Sequence, residues 1–151
     1  MDIKKNSTKF HCFTTLDNEI LKTVNFSSGN NNDYNTLVYY EDFFKEIQEK
    51  IKDRNVYLLA DSGYDTKKFR ALCSNYGLIP IVGINNRNAK IKRVMSDIEE
   101  EIYKKRCNIE KTFAWIKSFY SVRLRTDIKY FTWKSKVFLT TFMINLRNVT
   151  V

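Results

Sequence analysis

Hydrophobic and polar positions follow two different periods along this chain, which predicts a mixed α/β fold. Two segments rich in β-branched and aromatic residues, 8–16 and 20–26, flank the turn Asp17-Asn18-Glu19 and predict a hairpin. The short apolar runs 56–60 and 78–82 predict buried strands, the first of the kind covered on both faces. Helical spacing or composition predicts helices over about 41–53, 66–75, 97–119 and 133–146, and polar loops over 27–33 and 85–92. Because strands and helices alternate, we expect a partly parallel sheet in a single domain.

Local signals place the helix ends more closely. Ser96 followed by Glu99 is a capping-box pattern, so a helix should begin at Asp97. Asp65 is expected to be the N-cap of the helix that begins at Thr66, and Gly77 is expected to close that helix.

Composition and charge narrow the class of protein. The 151 residues are 43% hydrophobic and 15% aromatic, which excludes intrinsic disorder. Residues 1–86 hold 11 Lys and Arg and 11 Asp and Glu, whereas residues 87–151 hold 15 and 6, so the net charge of +9 lies entirely in the second part. Such a basic half is typical of a surface for a polyanion, most often nucleic acid; a solvated basic face is the alternative.

Cysteine and histidine usage excludes several kinds of site. Cys12, Cys73 and Cys107 lie far apart and form no CxxC pair, and His11 is the single histidine. This argues against a disulfide scaffold, a structural zinc site and a His-based triad. No signal segment opens the chain, and the most apolar stretch, 137–146, is too short to span a membrane. We therefore expect a soluble cytoplasmic protein with no membrane partner.

Asp61 is the first candidate for chemistry. It follows the predicted strand 56–60, and open α/β sheets bind ligands at the carboxyl ends of their strands. The alternative is that Asp61 begins a turn or caps the next helix.

A second set of candidates lies on the predicted helix 97–119. Tyr103, Arg106, Glu110 and Lys117 should share one stripe at about 100° per residue, beside an apolar stripe facing the sheet. Two carboxylates from different elements, here Asp61 and Glu110, can hold Mg²⁺ or Mn²⁺, and the cations can hold phosphates. An ordinary salt-bridge face is the alternative. Nearby aromatic residues could stack on unpaired bases or pack in the core: Trp115, Tyr130, Phe131 and Trp133.

These residues carry a family resemblance. The spacing Tyr103-x2-Arg106-x3-Glu110-x6-Lys117 resembles the Tyr-Arg-Glu-Lys signature of DDE transposases from insertion sequences of the group 4 and group 5 type. The segment 59–65, Leu-Ala-Asp-Ser-Gly-Tyr-Asp, is similar to the stretch that carries the second catalytic aspartate of those enzymes. Similar segments in the same order cover residues 9–148.

The resemblance implies a ribonuclease H-like mixed sheet with flanking helices and cut-and-paste transfer of a DNA element. It implies Mg²⁺ or Mn²⁺ as cofactor, with Asp61 as the second acidic ligand and Glu110 as the third. Arg106 and Lys117 would contact DNA at the transposon end, and Tyr103 would help to position that segment.

The sequence departs from the family pattern near its start. The family's first acid ends a first strand, but no apolar strand precedes Asp2 here. We therefore expect an N-terminally truncated catalytic domain that lacks its first strand and is inactive unless the missing part is supplied in trans. The alternative from a different class is a non-catalytic DNA-binding or regulatory module that pairs with a full-length transposase or with itself. A remnant without a role is a third reading.

Overall fold

A computed structural model describes residues 8–17, 19–28, 41–86, 93–118 and 130–149. Four strands and five helices are defined in these residues. In chain order they are β1 (Thr8–Thr14), β2 (Ile20–Ser28), α1 (Glu41–Lys50), β3 (Val56–Ala60), α2 (Lys67–Asn75), β4 (Leu78–Val82), α3 (Asp97–Lys104), α4 (Asn108–Ser118) and α5 (Tyr130–Val149). The mixed α/β class is confirmed, and the elements follow the predicted order except that α3 and α4 replace one predicted helix.

The strands form two small sheets, β1 with β2 and β3 with β4. Strands β1 and β2 are joined by the short connection 15–19, as a hairpin requires, because parallel strands need a crossover of a dozen or more residues. Strand β3 runs parallel to β4, with Val56 opposite Leu78 and Ala60 opposite Val82. The carboxyl ends of β3 and β4 therefore meet at one edge.

The prediction that β3 is covered on both faces is wrong. Tyr57 is 46% exposed and its partner across the sheet, Ile79, is 37% exposed. Ile81 and Val82 are buried, so burial along β4 is uneven. An uninterrupted apolar run does not by itself distinguish a strand with two covered faces from one with an open patch.

The chain divides into two compact units, each with its own core. Among the described residues, the first unit comprises 8–9, 25–28, 41–86 and 93–106, and the second comprises 10–17, 19–24, 107–118 and 130–149. In the first unit Phe44, fully buried, stacks on Tyr76 with ring centroids 5.8 Å apart. Phe69 and Cys73 bring the inner face of α2 into the same core, as the helical spacing of apolar residues requires.

In the second unit α4 packs against α5. Ile116 of α4 and Val137 of α5 are almost completely buried, and Phe113 of α4 contacts Phe10 of β1 edge to face at 5.4 Å. This Phe113 contact agrees with the prediction that the apolar stripe of the helix faces a sheet. Asn145 of α5 donates to the carbonyl oxygen of Ile20 at 2.8 Å and accepts from its N–H at 2.9 Å, which joins α5 to β2.

Several element boundaries differ from the predictions. Ser27 and Ser28 belong to β2 and not to a loop, and the rest of the predicted loop 27–33 lies outside the described residues. Helix α1 ends at Lys50, followed by a turn in which Asp53 has a φ of 68°. Helix α5 is longer than the predicted 133–146. The predicted helix 97–119 is interrupted by a 3₁₀ turn, Lys105–Cys107, and Phe119 is not described.

The caps of α2 and α3 test the local signals. The capping box at α3 is confirmed: Ser96 Oγ accepts from the Glu99 N–H, and the Glu99 carboxylate accepts from the Ser96 N–H. The N-cap assignment at α2 is wrong, because Thr66, and not Asp65, accepts from the Phe69 N–H, at 3.1 Å. Gly77 follows the end of α2 with a φ of 71°, as a helix-terminating glycine does.

Candidate active site

Asp61 lies at the carboxyl edge of the β3–β4 sheet, immediately after β3. Its Oδ1 accepts from the Ser62 N–H at 2.7 Å and so caps the short 3₁₀ turn Ser62–Tyr64. The capping alternative is therefore correct as a local description. The side chain is exposed, and an ionised carboxylate has about four lone-pair sites, so this hydrogen bond does not prevent it from binding a cation.

Tyr103 of α3 reaches the same edge through the space beside Gly83. Gly83 follows β4, is buried, and donates its N–H to the Ala60 carbonyl at 3.2 Å. A Cβ on Gly83 would clash with Tyr103 Oη and would lie 3.0 Å from the Ser62 backbone nitrogen. The tip of the Tyr103 ring therefore stands over Gly83, beside the peptide that links Asp61 to Ser62.

Arg106 is held near this edge through Tyr103. Its guanidinium carbon lies over the Tyr103 ring, 5.4 Å from the centroid, which is within the range of a cation–π interaction. The ring and the guanidinium meet because the two residues are three positions apart at the end of α3. Three of the five sequence-predicted site residues, Asp61, Tyr103 and Arg106, thus belong to the first unit and are linked through Gly83.

Glu110 and Lys117 lie on α4 in the second unit. Both are exposed, and they are seven positions apart, so they share one face of α4. The prediction that one regular helical stripe runs from Tyr103 to Lys117 is wrong. The 3₁₀ turn Lys105–Cys107 interrupts the rotation of about 100° per residue on which that stripe depends.

Asp65 is an acidic residue in a different environment from Asp61. Only 9% of its side chain is exposed, and its Oδ1 accepts from Arg70 Nε at 3.1 Å and Arg70 Nη2 at 2.8 Å. Its carboxylate also accepts from Arg93 Nη1 at 3.4 Å and from the Asn85 N–H at 3.1 Å. Burial alone raises the pKa of Asp65, but the hydrogen bonds from Arg70 and Asn85 and the charges of both arginines outweigh it, so the pKa is lowered. Asp65 is therefore a structural anion.

The side chains present fit a hard divalent cation in donor type. Asp61 and Glu110 offer carboxylate oxygens, and Mg²⁺ is usually held by one or two carboxylates together with water and substrate phosphates. Within the part of the chain that the structure describes, no group of three or more His, Cys, Asp and Glu side chains could hold a metal ion. Asp61 belongs to the first unit and Glu110 to the second.

The aromatic candidates have three different environments. Trp133 is 6% exposed and belongs to the core of the second unit, so base stacking is excluded for it in this conformation. Trp115 is half-buried beneath Arg147, whose guanidinium carbon lies 5.7 Å from a ring centroid of Trp115. Phe131 is 77% exposed, and the side chain of Tyr130 lies outside the described part.

Gly83 and the cluster around Asp65 were not found by sequence reasoning. The parallel order of 56–60 and 78–82 already implies that the residues after both strands share an edge, which was the available signal for Gly83. The full cluster around Asp65 was not predictable, because Asn85 and Arg93 are distant from it in sequence and only Arg70 is near.

Comparison with known proteins gives one match. The family model described as "Transposase DDE domain" matches residues 3–146. No curated protein and no solved structure matches the chain. Among the described helices, none has the length and apolar character needed to cross a membrane. The matched span includes Asp61, Tyr103, Arg106, Glu110 and Lys117 and almost all of the sequence, so the chain belongs to the transposase DDE domain family.

Proposed function

We propose that this chain is part of a transposase that cuts and joins DNA in cut-and-paste transposition, of the group 4 and group 5 insertion-sequence type with a ribonuclease H-like fold. DDE transposases act on DNA and use divalent metal ions. The observation that carries the proposal for this chain is the grouping of Asp61, Tyr103 and Arg106 at the carboxyl edge of a parallel sheet. An acid, a hydroxyl and a guanidinium are suited to a cation and a phosphodiester.

Each site residue has a distinct role in this proposal. Asp61 and Glu110 contribute carboxylate oxygens to Mg²⁺ or Mn²⁺. When bound, the metal supplies an activated water and stabilises the leaving oxygen. Arg106 and Lys117 hold phosphates of the transposon end, and Tyr103 carries Arg106 on its ring face. The continuous family match supports one transposase-type domain that includes both units.

We further propose that the 151-residue chain, tested alone, binds DNA without cutting it. The family resemblance implies three metal-ligating acids and assigns two of them in this sequence, Asp61 and Glu110. The cytoplasm is the proposed compartment, and the three cysteines, which form no disulfide, agree with a reducing environment.

Manganese binding tests the two acids. We expect Asp61→Asn and Glu110→Gln each to weaken Mn²⁺ affinity by about tenfold or more, since each removes a charged oxygen ligand. Mn²⁺ should also raise the unfolding temperature of the wild-type chain, because a ligand that binds only the folded state stabilises it. Electron paramagnetic resonance of free Mn²⁺ and thermal unfolding by circular dichroism measure the two effects.

Glu100→Gln is the matched control, because Glu100 is an exposed acid on α3 that has no part in the proposed site. Equal Mn²⁺ affinity in all four proteins would exclude Asp61 and Glu110 as ligands. Nicking of DNA by the wild-type chain, abolished in Asp61→Asn, would support the catalytic assignment and disprove inactivity of the chain alone.

A non-catalytic DNA-binding or regulatory module is the second candidate, favoured by the excess of positive charge in residues 87–151. Such a module could occupy transposon ends or pair with a full-length transposase or with itself. DNA binding that needs no metal and survives Glu110→Gln distinguishes it from the catalytic candidate. DNA binding that strengthens with Mn²⁺ and weakens in Glu110→Gln favours the catalytic one.

A further inference from the structure

Gly83 occupies a crowded position at the edge where Asp61 lies. Its neighbours there come from two other elements: the backbone nitrogen of Ser62, after β3, and the ring tip of Tyr103, on α3. A Cβ at this position would clash with Tyr103 Oη and would lie 3.2 Å from Tyr103 Cζ and 3.0 Å from Ser62 N. No side chain, not even a methyl group, fits there without movement of a neighbour.

Glycine is needed at position 83 because the space beside it is limited, and not because the backbone has an unusual conformation. Gly77, after α2, has a φ of 71°, which an L-amino acid with a side chain rarely adopts, whereas Gly83 is not among the glycines with positive φ. The backbone of Gly83 also continues the parallel pairing of the sheet, because its N–H donates to the Ala60 carbonyl at 3.2 Å. Any residue other than proline could adopt this backbone if the space beside it were free.

The space is filled by the residue that supports Arg106. Tyr103 reaches over Gly83 to the peptide between Asp61 and Ser62, and Arg106 lies on the face of the Tyr103 ring, 5.4 Å from its centroid. Because Arg106 lies on this ring, a shift of the ring tip away from the edge shifts the guanidinium with it. The approach of the ring tip to the edge is set by the absence of a side chain at position 83.

We propose that Gly83 is a positioning residue, which lets Tyr103 hold Arg106 beside Asp61 so that one phosphate group of DNA is bound next to the acid. This inference rests on the proposed function, because it gives Gly83 a role in DNA binding. A methyl group at position 83 cannot displace Ser62 N, which belongs to the backbone held by the cap at Asp61. It must therefore displace the Tyr103 ring, and Arg106 moves with it.

DNA binding by a double-mutant cycle tests the role. At low salt, we expect Gly83→Ala to weaken affinity for duplex DNA by about 3- to 10-fold, because Arg106 is displaced and its charged contact with a phosphate is lost. Arg106→Ala should weaken it by at least as much, and the double variant should be no weaker than Arg106→Ala, because both changes remove the same contact. Gly63→Ala is the matched control, since Gly63 is an exposed glycine in the turn that Asp61 caps.

Thermal unfolding tests the steric contact without DNA. Gly83→Ala should lower the unfolding temperature by several degrees, and Tyr103→Phe in the same chain should restore part of it by removing the hydroxyl that clashes with the new methyl. Additive effects of Gly83→Ala and Tyr103→Phe on the unfolding temperature would disprove the contact.

The possible failures are distinguishable. A wild-type chain that binds no DNA overturns the proposed function, and with it the role of Gly83 in DNA binding. If the wild-type chain binds DNA, two results overturn the role of Gly83 alone. One is that the affinity losses of Gly83→Ala and Arg106→Ala multiply in the double variant. The other is that Gly83→Ala binds DNA as tightly as wild type.

Discussion

Asp61 and Asp65 are four positions apart, yet their environments give them opposite properties. Asp61 is exposed and has one local hydrogen bond, to the Ser62 N–H. The carboxylate of Asp65 is almost buried and accepts from Arg70, from Arg93 and from the Asn85 N–H. The sequence assigns Asp65 a capping role that Thr66 has, because α2 begins at Lys67, one residue later than predicted. Arg70 lies five positions after Asp65, but Asn85 and Arg93 lie 20 and 28 positions after it, and local patterns do not reveal such distant partners.

We expect Asp65→Asn to lower the free energy of unfolding at pH 7 by about 1–3 kcal/mol, because the arginines lose a charged partner within a nearly buried cluster. The folded pKa of Asp65 is lowered, so its stabilisation is present above the unfolded value of about 3.9 and is lost as the pH falls through the folded value. The difference in stability between wild type and variant should therefore shrink below about pH 4.

Urea unfolding at pH 7 and at pH 3 measures this difference. Asp42→Asn is the control, since Asp42 is an exposed acid paired with Lys45 at 3.8 Å, and exposed pairs contribute about 0–1 kcal/mol. A difference between wild type and Asp65→Asn that is as large at pH 3 as at pH 7 would contradict the assigned ionisation.

At the scale of elements, strand and helix positions were predictable where one short run carried the signal. β3 and β4 match their predicted limits, and the capping box marks the start of α3. The interruption at Lys105–Cys107 was not predictable, because the segment contains neither glycine nor proline and its residues favour a helix. It coincides with the boundary between the two units.

Asn145 shows the same limit on α5, where its sequence context is an apolar helix. Both its hydrogen bonds go to the backbone of Ile20, a residue that is 5% exposed and 125 positions earlier. We expect Asn145→Leu to lower the free energy of unfolding by about 2 kcal/mol or more, because a buried N–H and a buried carbonyl lose their side-chain partner. Guanidinium unfolding measures the loss.

Thr132→Leu serves as the control on α5, because Thr132 is exposed and its replacement should change stability by no more than about 0.5 kcal/mol. Equal stabilities of Asn145→Leu and Thr132→Leu would show that the hydrogen bonds to Ile20 contribute nothing to folding.

For the whole molecule, the sequence predicts the family, an acid at the end of a strand and a basic second part. It predicts less securely how these features are arranged in space. The spacing from Tyr103 to Lys117 identified residues that all lie within the family match, residues 3–146. The link between Asp61 and Tyr103 required the structure, because it passes through Gly83 and depends on the room a missing side chain leaves. Spacing along a chain records which residues are present, whereas steric fit between elements depends on how those elements pack.

The uneven charge predicts how DNA binding depends on salt concentration. Because the net charge of +9 lies in residues 87–151, we expect DNA affinity to fall linearly with the logarithm of salt concentration, with a slope of about −0.9 for each phosphate neutralised. Arg106→Ala should reduce the magnitude of that slope by about 1 and weaken binding to different DNA sequences alike, as expected for a phosphate contact. Fluorescence anisotropy with two unrelated duplexes at several salt concentrations measures both quantities. Lys45→Ala, an exposed cation of α1 in the neutral first part, should leave the slope unchanged. If Lys45→Ala lowers the slope as much as Arg106→Ala, the DNA is held by general attraction to a cationic protein, and the edge that carries Asp61 and Arg106 is not where it binds.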